Sequence, residues 1–335
     1  GSFEIILLVN APEKKVGSKA WQATLGEIKR AKKDFPGLQL RYVTTGLPAD
    51  QARIGNIRKI VTDLALLRQR DAGISDDILL LSNDADNQGL SSGYVDSYRK
   101  YFDQNPNKDG AVGNLRFDPQ AHVRFPELAV KEELATFIDQ AGFQHGNACL
   151  FGSNSVMKSS IYAGIGGYPT SKRRGEQEWT GNAIRKLRQS RETLGFVSDA
   201  LLTTSSRRGV TTLLSGSREQ VAFGDVEAER KMRDYKISEL SMFDYSNEQG
   251  VATLQGKIET ILQHIIDGYE RGEQLGSKEA PYYKNNIGKL GIRYRVDGEG
   301  KIKIIDMSAF ISRQQRMQQL IKAGDRDIAK VYEAV

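Results

Sequence analysis

The chain has 335 residues, of which 27% are charged and 39% are hydrophobic, and this composition is typical of a globular protein rather than a disordered or fibrous one. The length allows one large domain with an additional segment. The 48 Lys and Arg residues exceed the 42 Asp and Glu residues by six charges. This excess suits phosphorylated ligands or an anionic membrane surface, but it is too weak to indicate nucleic-acid binding.

The single cysteine, Cys149, excludes an internal disulfide and a cysteine-rich metal site. Such sparing use of cysteine is typical of a reducing compartment. No apolar run reaches the roughly 18 residues needed to cross a bilayer, and no signal peptide is visible. We therefore expect a cytoplasmic protein, with peripheral contact to the inner face of the membrane as a further option.

The first half of the chain alternates between strand-like and helix-like segments. Apolar β-rich runs predict strands over residues 3–9 and 38–44 and from Ile78, and helical spacing of apolar residues predicts helices over 19–34 and 55–70. This βαβαβ order is typical of a doubly wound, nucleotide-binding sheet. The pattern continues with a helix over 92–104, a strand over 110–115 and a helix near 130–141.

Two aspartates follow the third predicted strand. The apolar run from Ile78 to Leu81 ends in Ser82-Asn83-Asp84-Ala85-Asp86, and ligands of open α/β sheets bind outside the carboxyl ends of the strands. Two carboxylates at such a place suit a divalent cation that bridges phosphates. A solvated Asp-rich turn is the alternative interpretation.

The middle of the chain contains glycine-rich and charged motifs at defined spacing. Gly146-Asn147-Ala148 leads toward a predicted helix over 156–163, and Gly166-Gly167-Tyr168 follows that helix. Glu176-Gln177-Glu178-Trp179 then begins another predicted helix, which ends near residue 190. A strand over 196–202 precedes Ser205-Ser206-Arg207-Arg208.

In this order the motifs resemble those of the inverting family 2 glycosyltransferases of the GT-A fold. The resemblance covers about residues 3–225 and includes Asp84-Ala85-Asp86, Gly146-Asn147-Ala148, Gly166-Gly167-Tyr168 and the acidic helix start. It implies a Rossmann-like, mostly parallel central sheet flanked by helices. Residues 1–225 would then form the nucleotide-sugar-binding catalytic domain, and residues 226–335 a C-terminal appendage.

The resemblance also implies a set of site residues. Asp84 and Asp86 would hold Mn²⁺ or Mg²⁺, and the donor would be a nucleotide sugar, with UDP-sugar favoured over GDP- or dTDP-sugar. Because Gln177 interrupts the family's usual Glu-Asp pair, the catalytic base is either Glu178, which we favour, or Glu176. The remaining donor-binding candidates are Asn10, Arg53, Gly55, Arg58, Arg207 and Arg208, and the acceptor-binding candidates are Asn147, Gly166, Gly167 and Trp179.

The last 110 residues have no catalytic motif of their own. Amphipathic helices are predicted over 226–240 and 251–271, a β-hairpin over 292–305 and a final helix from Ser308. We expect this appendage to serve binding of a glycan, lipid-linked or small-molecule acceptor, contact with a membrane surface, or oligomerisation.

Three other classes of protein share parts of this pattern. A haloacid-dehalogenase-like phosphatase also has Asp-x-Asp after a strand, but its nucleophile normally ends the first strand. A nucleotidyltransferase also binds a metal ion at the strand ends of an α/β sheet. The glycine-rich basic loop expected after its first strand, however, is not evident here. A non-catalytic binding protein is the third alternative, because of Gln177. His122 and His264 are not part of any recognisable catalytic or metal-binding motif, so we assign them no role.

Overall fold

The computed structural model describes residues 3–48, 51–84, 87–144, 154–170, 176–190, 193–214, 237–270 and 286–324. Among these, the side chains of residues 138–144, 176–179, 207, 208, 212, 214, 238 and 268–270 lie outside the description. The helices are α1 (Lys19–Asp34), α2 (Ile54–Asp71), α3 (Tyr94–Gln104), α4 (Pro119–His122), α5 (Pro126–Gln144), α6 (Ser159–Gly164), α7 (Glu176–Arg188), α8 (Arg207–Leu214), α9 (Glu248–Glu270) and α10 (Ser308–Lys322). The strands are β1 (Ile5–Pro12), β2 (Leu40–Leu47), β3 (Leu79–Asn83), β4 (Gly89–Leu90), β5 (Gly110–Phe117), β6 (Asn154–Lys158), β7 (Leu194–Thr204), β8 (Arg293–Val296) and β9 (Ile302–Asp306).

The fold is α/β. Strands β1 and β2 form a parallel two-stranded sheet in which Ile5 pairs with Leu40 and Pro12 with Leu47. A five-stranded sheet has the order β3-β6-β5-β7-β4, and β8 and β9 form a hairpin. The chain divides into two compact units, one comprising residues 1–83, 102–112 and 148–195, and the other comprising 84–101, 113–147 and 196–335.

The five-stranded sheet corrects the expectation of a mostly parallel arrangement. Strand β6 is antiparallel to both β3 and β5, and β4 is antiparallel to β7. An apolar run predicts that a strand is buried, but it is compatible with either strand direction because both directions bury the same side chains. Direction is decided by how the chain enters each strand, and the local sequence pattern does not reveal that path.

In the first unit, helix α1 packs beside the β1–β2 sheet. Ser18 caps the helix, since its hydroxyl accepts a 3.3 Å hydrogen bond from the backbone N–H of Trp21. Trp21 and Ile28 are seven residues apart on one helical face, and both are buried against Val9 and Leu40. The apolar residues whose spacing predicts helix 19–34 are therefore the residues that form its core contacts.

In the second unit, one core cluster of the described residues combines α5, α9, the β8–β9 hairpin and α10. Fully buried Leu254, Ile258 and Leu262 from α9 belong to the same cluster as Phe310 of α10. In the hairpin turn, Asp297 Oδ1 accepts hydrogen bonds from the backbone N–H groups of Glu299 and Lys301. The predicted hairpin and final helix are confirmed.

One predicted helix is wrong over part of its length. Residues 154–158 form β6, and the helix predicted from Val156 begins only at Ser159. Residues 226–236, and with them the predicted domain boundary at 225 and most of the helix 226–240, lie outside the described residues. Residues 237–239 form a single 3₁₀ turn.

Candidate functional site

Asp84 directly follows β3, as the strand pattern predicts, and its side chain is half-buried. Asp86 lies outside the described residues. Among the residues that are described, no group of three His, Cys, Asp or Glu side chains could hold a metal ion. Two carboxylates are nevertheless sufficient protein ligands for Mg²⁺ when substrate phosphates and water complete its coordination. The donor set of Asp84 and Asp86 therefore fits a cation bound together with a diphosphate.

The segment that follows Asp86 is bound to the end of β7 within the second unit. Gln88 donates a 2.8 Å backbone hydrogen bond to the carbonyl of Thr203, and Gly89 pairs with Thr203 in the sheet. The Gln88 side chain also donates a 3.1 Å hydrogen bond to Asp118 Oδ2. The chain leaving the Asp-x-Asp motif is therefore held beside the strand that leads to Arg207 and Arg208.

Arg207 and Arg208 are the first two residues of α8. Backbone N–H groups in the first turn of a helix have no intrahelical acceptor, and the helix dipole favours anions there. Sequence reasoning did not predict this helix, although it identified the arginine pair. The structure describes the backbone of both arginines but not their side chains.

In the first unit, α2 contains three of the predicted donor-binding residues. Arg53 occupies the N-cap position, and Gly55 and Arg58 are buried in the first turns of the helix. Asn10 is exposed on β1, in register with Thr45 of β2.

Helix α2 also contacts the Gly166-Gly167 turn, so two separate sequence motifs meet in the first unit. Lys59 Nζ lies 3.0 Å from Asp63 Oδ2 and donates a 3.5 Å hydrogen bond to the carbonyl of Gly166. The backbone of Gly166 has φ +78° and that of Gly167 has φ +83°. A Cβ atom at Gly167 would lie 2.7 Å from Lys59 Nζ and 2.9 Å from the hydroxyl of Tyr162. Glycine is therefore favoured at 167 both by its positive φ and by the close approach of the buried Tyr162 side chain, whereas the Lys59 ammonium could move aside.

Tyr162 links these two segments. Its hydroxyl donates a 2.8 Å hydrogen bond to Asp63 Oδ1, and its ring contacts the Tyr168 ring at a centroid distance of 5.6 Å. Burial, followed by the hydrogen bond to Asp63, raises the pKa of Tyr162 above its ordinary value. The hydroxyl therefore remains a proton donor across the physiological range. Neither Lys59 nor Tyr162 was among the residues predicted from the sequence.

Helix α7 begins at Glu176, so both candidate bases lie in its first turn, although their side chains and that of Trp179 are outside the description. The other end of the helix is anchored by Arg188, whose Nε and Nη2 atoms each donate a 2.9 Å hydrogen bond to Asp109. Asp109 is 3% exposed. Sequence reasoning missed this pair, because the two residues are separated by 79 positions.

Asn147 lies outside the described residues, so its predicted acceptor-binding role stays a prediction. Within the described ranges, no helix is long and apolar enough to cross a membrane. No protein-family model matches the sequence, and no curated protein is significantly similar to it.

Proposed function

We propose that this chain is a metal-dependent inverting glycosyltransferase of the GT-A fold. It would transfer a sugar from a nucleotide-sugar donor, preferably a UDP-sugar, to a hydroxyl group of a glycan, lipid-linked or small-molecule acceptor. The order of Asp84-Ala85-Asp86, Gly146-Asn147-Ala148, Gly166-Gly167-Tyr168 and the acidic helix start along the chain supports this proposal. Synthesis of a bacterial cell-surface polysaccharide is the process that we expect it to serve.

The structural observation that best supports the proposal is the pairing of Gln88 with Thr203. It links the exit of the acidic motif to the end of β7, four residues before Arg207. A cation and cationic side chains can together neutralise the charge of a diphosphate, so a strand-end aspartate pair and an arginine pair on neighbouring segments suit such a ligand.

The leaving group determines what Asp84, Asp86, Arg207 and Arg208 would do. Cleavage of the bond between sugar and diphosphate leaves negative charge on the diphosphate. A bound Mn²⁺ or Mg²⁺ would supply charge neutralisation at that group. Asp84 and Asp86 would hold the cation, and the arginines offer guanidinium groups that bind phosphate in a bidentate manner.

Inversion requires a base on the face of the sugar opposite the leaving group. A carboxylate there removes the proton from the acceptor hydroxyl as its oxygen attacks the anomeric carbon. We assign this role to Glu178, with Glu176 as the alternative, because both are at the start of α7.

The remaining assignments follow the resemblance. Asn10 and the α2 residues Arg53, Gly55 and Arg58 would bind the donor. Asn147, Gly166, Gly167 and Trp179 would bind the acceptor. The contact between Lys59 and Gly166 supports a shared role for α2 and the glycine turn, because movement of one segment disturbs the other.

The proposal is tested by incubating the full chain with UDP-, GDP- and dTDP-sugars in the presence of Mn²⁺ or Mg²⁺ and identifying the products. We expect slow hydrolysis to free sugar and UDP, dependent on the cation and lost in Asp86→Ala. Thermal shift provides a binding readout, since a ligand at ~100 times its Kd stabilises a protein by about 2.7 kcal/mol. Asp96→Ala is the matched control, because this aspartate is exposed and pairs only with a surface arginine among its described contacts.

The alternative classes give different products, in this assay or in a parallel incubation with nucleoside triphosphate and sugar phosphate. Release of inorganic phosphate would indicate a phosphatase, and release of inorganic diphosphate from nucleoside triphosphate and sugar phosphate would indicate a nucleotidyltransferase. Binding of a nucleotide sugar without turnover, with or without acceptors, would favour a non-catalytic protein. Cation-independent binding that survives Asp86→Ala would contradict the assigned metal site.

A further inference from the structure

A buried polar network in the second unit connects α4, α5 and the residue that precedes α8. Glu132 Oε2 accepts a 2.7 Å hydrogen bond from the Ser206 hydroxyl and lies 2.8 Å from His122 Nε2. The exposed fractions are 8% for Glu132, 1% for Ser206 and 0% for His122. One carboxylate oxygen thus joins three segments that are distant in sequence.

The network is too deeply buried to contact a substrate itself. Burying a carboxylate costs several kcal/mol unless hydrogen bonds or charges compensate it. Well-packed apolar residues often stabilise a core equally well, so stability alone is a weak explanation for buried ionisable groups. The network instead fixes the relative positions of the segments it joins, because a hydrogen bond constrains the position of each partner more tightly than an apolar contact does.

The second constraint on α8 is steric. A Cβ atom at Gly209 would lie 2.4 Å from Leu128 Cδ1 and 2.9 Å from Glu132 Oε1. The first turn of α8 therefore packs directly against two side chains of α5. Only glycine permits this approach, since a methyl group would push the turn away from Leu128 and Glu132.

Arg207 and Arg208 lie between these two points of attachment. Ser206, on one side, is hydrogen-bonded to Glu132, and Gly209, on the other, packs against the same carboxylate and Leu128. The carbonyl of Ser206 also accepts a 3.0 Å hydrogen bond from the N–H of Val210, which closes the first turn of the helix. The backbone of the arginine pair is consequently held from both ends by α5.

We propose that Glu132 is a positioning residue that, through Ser206 and the close packing of Gly209, holds Arg207 and Arg208 in place for a nucleoside diphosphate. This inference rests on the proposed function, because it assigns the arginine pair to the diphosphate. Glu132 touches neither donor nor acceptor. Its action is to fix, before the ligand binds, the backbone from which the two arginine side chains extend.

Titration calorimetry with UDP and with uridine, in the presence of Mn²⁺, tests this inference on the full chain. Ser206→Ala removes one hydroxyl, and Gly209→Ala displaces the turn without removing a polar group. Each should weaken UDP binding by about tenfold, the equivalent of one hydrogen bond, and should leave uridine binding unchanged because uridine has no diphosphate. Glu132→Gln, which retains an acceptor oxygen, should weaken UDP binding less than Ser206→Ala does.

The matched control is Glu127→Gln. Glu127 is a buried carboxylate on the same helix, but its partner is Lys257 on α9, 2.9 Å away. The Glu127→Gln substitution should alter the melting temperature without changing the ratio of UDP affinity to uridine affinity. Comparing melting temperatures across all variants separates loss of fold from loss of positioning.

Two results would overturn the inference, and they are distinguishable. If Ser206→Ala and Gly209→Ala bind UDP as tightly as the wild type, the network does not position the arginines, and the proposed function is unaffected. If the wild type itself binds neither UDP nor any nucleotide sugar, the proposed function is wrong, and the inference fails with it.

Discussion

The hydroxyl of Tyr162 donates a 2.8 Å hydrogen bond to Oδ1 of Asp63, across 99 positions of sequence. Asp63 also forms an ion pair with Lys59, which in turn reaches the carbonyl of Gly166. Helix α2 and the glycine turn are thus connected by a chain of polar contacts within the first unit. A substitution in either segment should therefore alter the position of the other.

The first prediction concerns the glycine turn. Gly167→Ala places a methyl group 2.9 Å from the hydroxyl of the buried Tyr162 in a backbone with φ +83°, so we expect a loss of about 1–3 kcal/mol in unfolding free energy. Gly166→Ala is the matched control, because it has a similar φ of +78° but open space around its Cβ position. Urea denaturation should show a smaller loss for Gly166→Ala. Equal losses would mean that backbone strain alone matters and that the contact with Tyr162 does not.

The second prediction concerns the anchor of α7. Arg188→Ala leaves the buried carboxylate of Asp109 without its bidentate partner, and we expect a cost of about 2 kcal/mol. This value is below that of a fully buried pair because the Arg188 side chain is half-exposed. Arg70→Ala breaks an exposed pair with Asp71 and should cost at most about 0.5 kcal/mol. A similar cost for both variants, measured by chemical denaturation, would contradict a structural role for the Arg188 pair.

The third prediction concerns pH. Burial would raise the pKa of Asp77, but hydrogen bonds from Ser160 and Ser159 outweigh burial and hold the pKa below its ordinary value. A lowered pKa in the folded state stabilises the fold above the unfolded pKa of about 4. That contribution is lost as the pH falls through the lower folded pKa.

Asp77→Asn should therefore reduce unfolding free energy near neutral pH, and its difference from the wild type should shrink below about pH 4. Thermal denaturation between pH 2.5 and 7 measures this difference. Asp76→Asn removes the same charge at the neighbouring exposed position without these hydrogen bonds, and is the control. A difference between Asp77→Asn and the wild type that stays constant over the whole range would contradict the assigned pKa shift.

The fourth prediction concerns the catalytic base and depends on the proposed function. Glu178→Gln should reduce turnover by about 10² to 10⁴-fold, as expected for loss of a general base, with little change in the Kd of the donor. Glu176→Gln is the informative comparison, because it removes the other carboxylate of the same helical turn. If Glu176→Gln has the large effect and Glu178→Gln does not, the two residues exchange roles. If both substitutions weaken donor binding and neither reduces turnover, then neither glutamate is the base.

Local sequence patterns predicted the elements whose stability depends on one buried face. The seven-residue spacing of Trp21 and Ile28 predicts α1, and both side chains are buried in its core. The Gly-containing turn between alternating residues predicts the hairpin, in which Asp297 binds the turn N–H groups. The apolar run before Asp84 likewise predicts β3 and its end. These features could be predicted because the patterns that specify them lie within a few residues of one another, even where the contacts that bury them are distant in sequence.

The failure at β6 has a long-range cause. Val156 and Met157 are apolar neighbours that suit a helix as well as a strand, and the following serines resemble a helix start. The structure resolves the choice through pairing, because Val156 is opposite Leu81 of β3 and Ala111 of β5. No pattern within residues 154–158 contains information about those partners.

The sequence by itself determined the α/β class, the main helices, the hairpin and the motifs that suggest a nucleotide-sugar enzyme. Only the tertiary structure decided the antiparallel direction of β6, the contact of α2 with the glycine turn, and the burial of Glu132 between His122 and Ser206. The physical reason is that amphipathic period and turn chemistry act over a few residues. Strand pairing and buried polar contacts instead depend on which distant segments the completed fold brings within hydrogen-bonding distance.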